Sequence, residues 1–285
     1  MYGGRAMALD VRFCGVRGSC PAPGHRFADI GGNTSAVAVS VDGERPRLLL
    51  DAGTGITNAT ELLDGEPFDG TLVLTHLHWD HLQGLPFFKS ADRPDAATHL
   101  LLPEQGNAEQ VLERAMSPPH FPITPDGLQG KWSFDGLKEG GHTVEGFDLK
   151  TIDIAHKGGR TFGIRVQTED SGSITYMPDH APMKYGKGKG GVGALHDAAL
   201  ELAGGTDVLI HDGQFTREEL ALAVETGHAT IEYAVELAEA AGVGKLVITH
   251  HSPARTDPEV AALIERYASG QESISFATEG DRFEA

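Results

Sequence analysis

Cysteine is scarce. The 285-residue chain has two, Cys14 and Cys20, close together in a Gly-rich stretch. Two thiols cannot build a disulfide framework, so they read as ordinary reduced cysteines, which fits a cytoplasmic setting. Long apolar runs are missing as well. None approaches the roughly 18 residues of a membrane span. The opening MYGGRAMALD lacks the apolar core of a signal peptide. Residues 1–7 are expected to be an unstructured leader, and residues 8–285 a single domain. Positive charge is short too: 23 Lys+Arg stand against 41 Asp+Glu, a formal net charge of -18. Such a surface repels polyanions and disfavours extended nucleic acid bound by counterion release. A small anionic substrate stays compatible with that balance if its site carries positive charge of its own. The 40% of hydrophobic residues excludes a disordered chain.

What is present is histidine, 14 in all, set among short apolar runs. Runs of strand length cover residues 11–14, 36–41, 47–50, 71–74, 99–102, 162–166, 173–177, 207–210, 245–249 and 273–276. Several are unbroken apolar triplets, as in buried strands. Helical signals come late. Thr216 and Glu219 form a capping-box pattern before an apolar stripe that Gly227 closes. Ile231, Ala234, Val235 and Ala238 keep helical spacing up to Gly242. Asp257-Pro258 opens a further helix. Strands first, then strands alternating with helices, predict an α/β arrangement of sheets flanked by helices. Residues 86–150 look less regular. The loop 185–193 has five Gly and two Lys and is expected to be mobile.

The chemistry concentrates where the run 71–74 ends. Thr75-His76-Leu77-His78-Trp79-Asp80-His81 places four metal-ligand side chains within six residues. In extended chain His76 and His78 point one way. Asp80 and His81 then turn toward an adjacent position. So short a segment does not easily give all four ligands to one ion, so two ions sharing it is the natural geometry. Further ligands belong at other strand ends, because a site gathers loops from one edge of a sheet. His156, Asp179, His211 with Asp212, and His250 with His251 all follow apolar strands.

THLHWDH resembles the HxHxDH signature of the metallo-β-lactamase superfamily. The resemblance spans nearly the whole chain from Ala8. GGNTS (31–35), LLLDAGTG (48–55), YMPDHAP (176–182), LIHDGQF (209–215), GHAT (227–230) and ITHHSP (248–253) are similar to segments of its ribonuclease Z and phosphodiesterase branch. It implies a four-layer αββα fold, two packed mixed sheets flanked by helices. It implies that His76, His78 and His156 hold one divalent ion, that Asp80, His81 and His250 hold a second, and that Asp179 bridges them. His250 matches the motif's Thr-His better than His251, and His142 reads as a loop residue. Zinc suits the ligand set, with Mn2+ or Fe2+ also compatible. Two such ions activate a bridging water and clamp both oxygens of an in-line displacement at phosphorus. The resemblance makes His228 the acid for the leaving oxygen, oriented by Asp80. His211 and Asp212 would orient ligands from behind. His120, His180, His196 and His251 are further candidates to line the site.

The sequence also departs from the branch. Ribonuclease Z proper inserts a tRNA-gripping arm between the segments matching His156 and Asp179. Here 22 residues separate them, too few for an arm. The Cys-rich structural zinc site of phosphoribosyl cyclic phosphodiesterases cannot be built from two Cys. The expected activity is therefore a dinuclear phosphodiesterase on small or cyclic phosphodiesters, with Lys184, Lys187 and Lys189 placed to reach a phosphate. The alternatives are a ribonuclease Z-like RNA 3′-end endonuclease and a metal-binding sensor with little turnover. A homodimer would fit, since related folds pair through site-side loops.

Overall fold

Alternation sorts the early strands into two faces. On β2 (Ala36–Val41) Val37 and Val39 turn one way, Ala36 and Ala38 the other. On β3 (Leu48–Leu50) Leu48 and Leu50 join the first group and Leu49 the second. Both faces are apolar because both are covered, as a sheet between a second sheet and helices requires. The computed structural model describes residues 8–169 and 172–285. The expected leader, residues 1–7, lies outside the described residues.

The first sheet also holds β1 (Leu9–Gly15), β4 (Asp69–Val73), β5 (Ala97–Pro103), β6 (Lys131–Leu137) and β14 (Arg282–Glu284), in the order β14-β1-β2-β3-β4-β5-β6. The second holds β7 (Gly140–Val144), β8 (Phe147–Asp153), β9 (Phe162–Gln167), β10 (Ser173–Met177), β11 (Val208–Asp212), β12 (Lys245–Thr249) and β13 (Ile274–Phe276). Its order is β13-β12-β11-β10-β9-β8-β7. Each sheet has an antiparallel half, β14 to β3 and β7 to β10. Each has a parallel half, β3 to β6 and β10 to β13. The same connectivity is thus used twice, a repeat with no trace as sequence self-similarity.

Helices α1 (Ala59–Leu62) and α2 (Ala108–Glu113) cover the first sheet, where Ala59, Val111 and Leu112 join the outer core. Against the second sheet lie α3 (Asp197–Ala203), α5 (Ile231–Ala241) and α6 (Asp257–Tyr267). The four-layer αββα arrangement is therefore present. The capping box at Thr216 precedes α4 (Leu220–Thr226), and Gly227 ends that helix with φ +89°, which favours a residue without Cβ. No helix among the described residues is long and apolar enough to cross a membrane.

Residues 86–150 are more regular than their sequence suggests. They include α2, β6, β7 and most of β8. Phe147, Leu149 and Thr151 of β8 are buried while Asp148 and Lys150 are exposed. That period-2 pattern marks a half-covered edge region and not an unbroken apolar run. His142 is a correction: it lies on β7, and its Nε2 donates to Lys138 O at 2.8 Å.

Candidate metal centre

The site forms at the C-terminal ends of strands from both sheets, where backbone ends free side chains to converge. After β4 the chain bends at Thr75 and runs through His76 and Leu77 without regular structure. His78 keeps ψ 152°, and a single 3-10 turn, Trp79–His81, reverses the direction. That turn separates His76 and His78 from Asp80 and His81. His156 comes from the segment after β8, Asp179 from that after β10, and His250 from that after β12.

Two separate groups of side chains result, with donor atoms in each within 4.8 Å of one another. One is His76, His78, His156 and Asp179; the other is Asp80, His81 and His250. A third, Asp179, His228 and His250, takes one member from each and adds His228. Asp179 faces both of the separate groups. Its Oδ2 lies 3.3 Å from His156 Nε2 and 3.6 Å from His76 Nε2. Its Oδ1 lies 3.0 Å from His81 Nε2 and 3.1 Å from His250 Nε2. Asp80 Oδ2 stands 3.4 Å from His81 Nε2 and 3.2 Å from His250 Nε2. Donors bound to one tetrahedral ion at about 2.0–2.1 Å sit roughly 3.3 Å apart, so these separations suit shared ions. The alignment agrees. His76 Nε2 and Asp179 Oδ1 are buried and have no hydrogen-bond partner, although imidazole nitrogens stand at ion-pair distance. Each of these atoms faces its own group without pairing to a neighbour there, which fits a bound cation in each.

The far nitrogens fix the tautomers. His156 Nδ1 donates to Gly227 O at 2.7 Å, and His81 Nδ1 donates to Asp51 Oδ2 at 2.8 Å. Each leaves an Nε2 lone pair for the centre. His250 is in the left-handed region, φ +59°, and Gly18 packs on its ring. A Cβ at Gly18 would stand 2.3 Å from His250 Nδ1. His251 points elsewhere, donating to Ala277 O at 2.8 Å. Ser19 N donates to Asp80 Oδ2 at 2.7 Å.

Asp51 escaped the sequence reading. Fully buried, it accepts from Thr75 N at 2.7 Å, Thr75 Oγ at 2.9 Å, His81 Nδ1 at 2.8 Å and Tyr176 OH at 3.0 Å. It follows the unbroken run Leu48–Leu50 of β3, so the strand-then-carboxylate pattern that marks Asp179 marks it as well.

His228, nearly buried, holds its Nδ1 3.0 Å from Asp212 Oδ2. The expected orienting carboxylate, Asp80, is instead engaged with His81, His250 and Ser19, so Asp212 takes that place. Asp212 Oδ2 also accepts from Ala229 N at 3.0 Å, which anchors the turn before α5. His211 reaches none of the clustered imidazoles of the two groups. Its Nε2 pairs with His180 Nδ1 at 3.0 Å, and His180 Nε2 pairs with His196 Nε2 at 2.8 Å. His120 lies on the surface beside a separate apolar cavity. Lys184 donates to His156 O. Lys187 is exposed, and Lys189 lines a different cavity, next to Glu236 and Glu239.

Charge within the centre is set by its carboxylates. Burial opposes an imidazolium at His81, but Asp179, Asp80 and Asp51 outweigh it and raise its pKa well above the usual histidine value. Burial also opposes charge at His228, where Asp212 and then Asp179 prevail and lift the pKa to about 9. At His76 burial prevails and lowers the pKa, and at His156 it lowers it to about 4. Burial works against ionised Asp179 as well, yet the surrounding imidazoles hold its carboxyl well below the usual range. Buried carboxylates without Lys or Arg beside them favour positive charge at the centre.

Known proteins resemble this chain in sequence and in fold. Residues 46–251 match the family model described as beta-lactamase superfamily domain. A ribonuclease Z of Pyrobaculum arsenaticum is 32% identical, over 74% of this chain and 78% of its own length. Among solved structures, a diphosphatase from the PhnP family has a TM-score of 0.71 at 19% identity, covering 97% of this chain and 98% of that one. Zinc-bound PqqB from Methylobacterium extorquens has a TM-score of 0.67 at 18% identity, covering 97% and 100%.

Proposed function

The chain belongs to the metallo-β-lactamase superfamily, in the branch that includes ribonuclease Z, and from that premise we propose that it is a dinuclear metal-dependent phosphodiesterase acting on small or cyclic phosphodiesters. The observation that carries the proposal is Asp179, with one oxygen turned to each group of imidazoles. His76, His78 and His156 would hold one ion, and Asp80, His81 and His250 the other. Two such ions supply Lewis acidity at the phosphoryl oxygens and activate water at neutral pH. Zinc fits the nitrogen-rich donor set.

The chain's own residues do the rest. Asp51 and Gly227 O hold His81 and His156 in the tautomer that frees Nε2. Asp212 holds His228 Nδ1–H, so that His228 Nε2–H is free to give its proton to the leaving oxygen. The small-substrate reading is supported by the segment between His156 and Asp179, which carries β9 and β10 and leaves no length for an arm. The acidic balance of the chain supports it too.

Metal-dependent hydrolysis of bis(p-nitrophenyl) phosphate tests the proposal. His76→Ala is expected to abolish it, and activity surviving that change would refute the reading. His228→Ala is expected to lower kcat by about 10²–10⁴-fold with metal content unchanged. The likeness to ribonuclease Z supports a second reading, cleavage at RNA 3′ ends. Processing of precursor tRNA at a rate matching the small diesters would favour it.

A further inference from the structure

The acidic excess of the chain is reversed at one wall of the centre. A cavity of about 320 Å³ opens against His76 and His78, and its lining includes Arg114 and Arg160 but no Asp or Glu. Arg160 is anchored. Its Nε donates to Asp153 Oδ2 at 3.0 Å, its Nη1 donates to Glu104 O at 3.2 Å, and its guanidinium lies 5.0 Å from the Phe162 ring centroid. Arg114, just past α2, has no ion-pair partner among the described residues. Gly158 leaves the wall beside His78 bare, since a Cβ there would stand 2.7 Å from His78 Nε2. Trp79, 71% exposed, borders the same cavity.

We infer that this cavity receives the non-reacting part of the diester, and that Arg114 and Arg160 select substrates carrying a second phosphate there. The inference rests on the phosphodiesterase reading and narrows its substrate class. A guanidinium presents forked N–H donors that match phosphate oxygens. Arg160 is already pre-positioned by Asp153 and Glu104, so a second phosphate mainly orders Arg114. A neutral alcohol in the same place leaves the donors of Arg114 to water and gains nothing. The surface charge of the chain does not cancel this preference. Salt screens exposed charges beyond about 10 Å, whereas the two arginines line the cavity itself.

Two p-nitrophenyl diesters of 1,3-propanediol, one with a free terminal hydroxyl and one with that hydroxyl phosphorylated, test the inference. The metal-loaded protein is expected to prefer the phosphorylated ester by about tenfold in kcat/KM, the scale of one charge-assisted contact. Arg114→Met is expected to lower the ratio, and Arg114→Met combined with Arg160→Met to bring it close to one. Arg45→Met, a surface arginine outside the cavity, is expected to keep the wild-type ratio and so controls for net charge. A ratio near one in the wild type, or a ratio retained in Arg114→Met, overturns the inference. If neither ester is cleaved, the phosphodiesterase reading fails by itself. Binding of propane-1,3-diyl bisphosphate to the metal-loaded protein then decides the cavity. Weakening by about tenfold in Arg114→Met supports the inference, and equal affinity overturns it.

Discussion

Replacing Asp51 by Asn keeps the size of the side chain, removes the negative charge that Asp51 places beside His81 and reverses the sense of their hydrogen bond. Asp51 Oδ2 accepts from His81 Nδ1 and Tyr176 OH, while Oδ1 accepts from Thr75. In the variant the amide oxygen serves Thr75 and the amide N–H₂ faces His81. His81 must then accept at Nδ1 and carry its proton on Nε2, where a lone pair is needed for the ion. Loss of such an orienting partner costs about 10–100-fold in metal affinity. The buried mismatch adds roughly 1–3 kcal/mol to the cost of folding the metal-free protein. Competition with a chromophoric chelator measures the first effect, and urea unfolding of metal-free protein the second. Tyr176→Phe is the control. It removes one donor from the same carboxylate without touching the tautomer, so metal affinity should hold. Asp51→Asn with wild-type metal affinity would refute the reasoning.

Three further outcomes follow from separate parts of the molecule. Gly18→Ala puts a Cβ into the ring of His250, so metal content measured by mass spectrometry should fall while circular dichroism stays native. Arg17→Met removes a fully buried guanidinium that donates to Gly31 O and Arg255 O at 2.7 Å and pairs with Asp257 at 3.5 Å. The cost should be about 3–5 kcal/mol, read from urea midpoints, and an unchanged midpoint would contradict it. His196 has its pKa lowered to about 4, by burial first and His211 next, against Asp197. Its neutral form therefore contributes stability that is full above about pH 6.5 and is lost as pH falls through 4. His196→Gln should lose less stability than the wild type between those values, in unfolding curves taken at several pH values.

Much of the centre could be read from the sequence because its side chains follow strands that announce themselves. β4, β10, β11 and β12 are apolar and buried on both faces, and each ends in a side chain that the centre gathers. Asp51 follows the same rule after β3, and it was missed although it lies in the LLLDAGTG segment, because that segment was read only for its likeness and not for a ligand or its partner. In the repeated connectivity of the two sheets, β3 and β10 occupy corresponding places, so Asp51 and Asp179 are counterparts. One is turned to the back of an imidazole and the other to its front. The carboxylate beside His228 could not be read because Asp80 and Asp212 both fit in type, and only packing chooses between them. The edge region escaped for another reason. β6 and β7 carry Gly, Lys and Asp on solvated strands, so no apolar run marks them, and β8 signals only by alternation.

The pairing of β1 with β14 has a bearing on how the chain is made. Asp10 and Arg282, joined across that pair, lie 272 positions apart. The first sheet is laid down before the second, yet its β1 edge stays unpaired until β14 has left the ribosome. Closure over such a separation is slow, and an open strand edge invites pairing with other chains. A chain halted after β13 would therefore hold every side chain of the metal centre and still expose the flank of β1 that β14 covers.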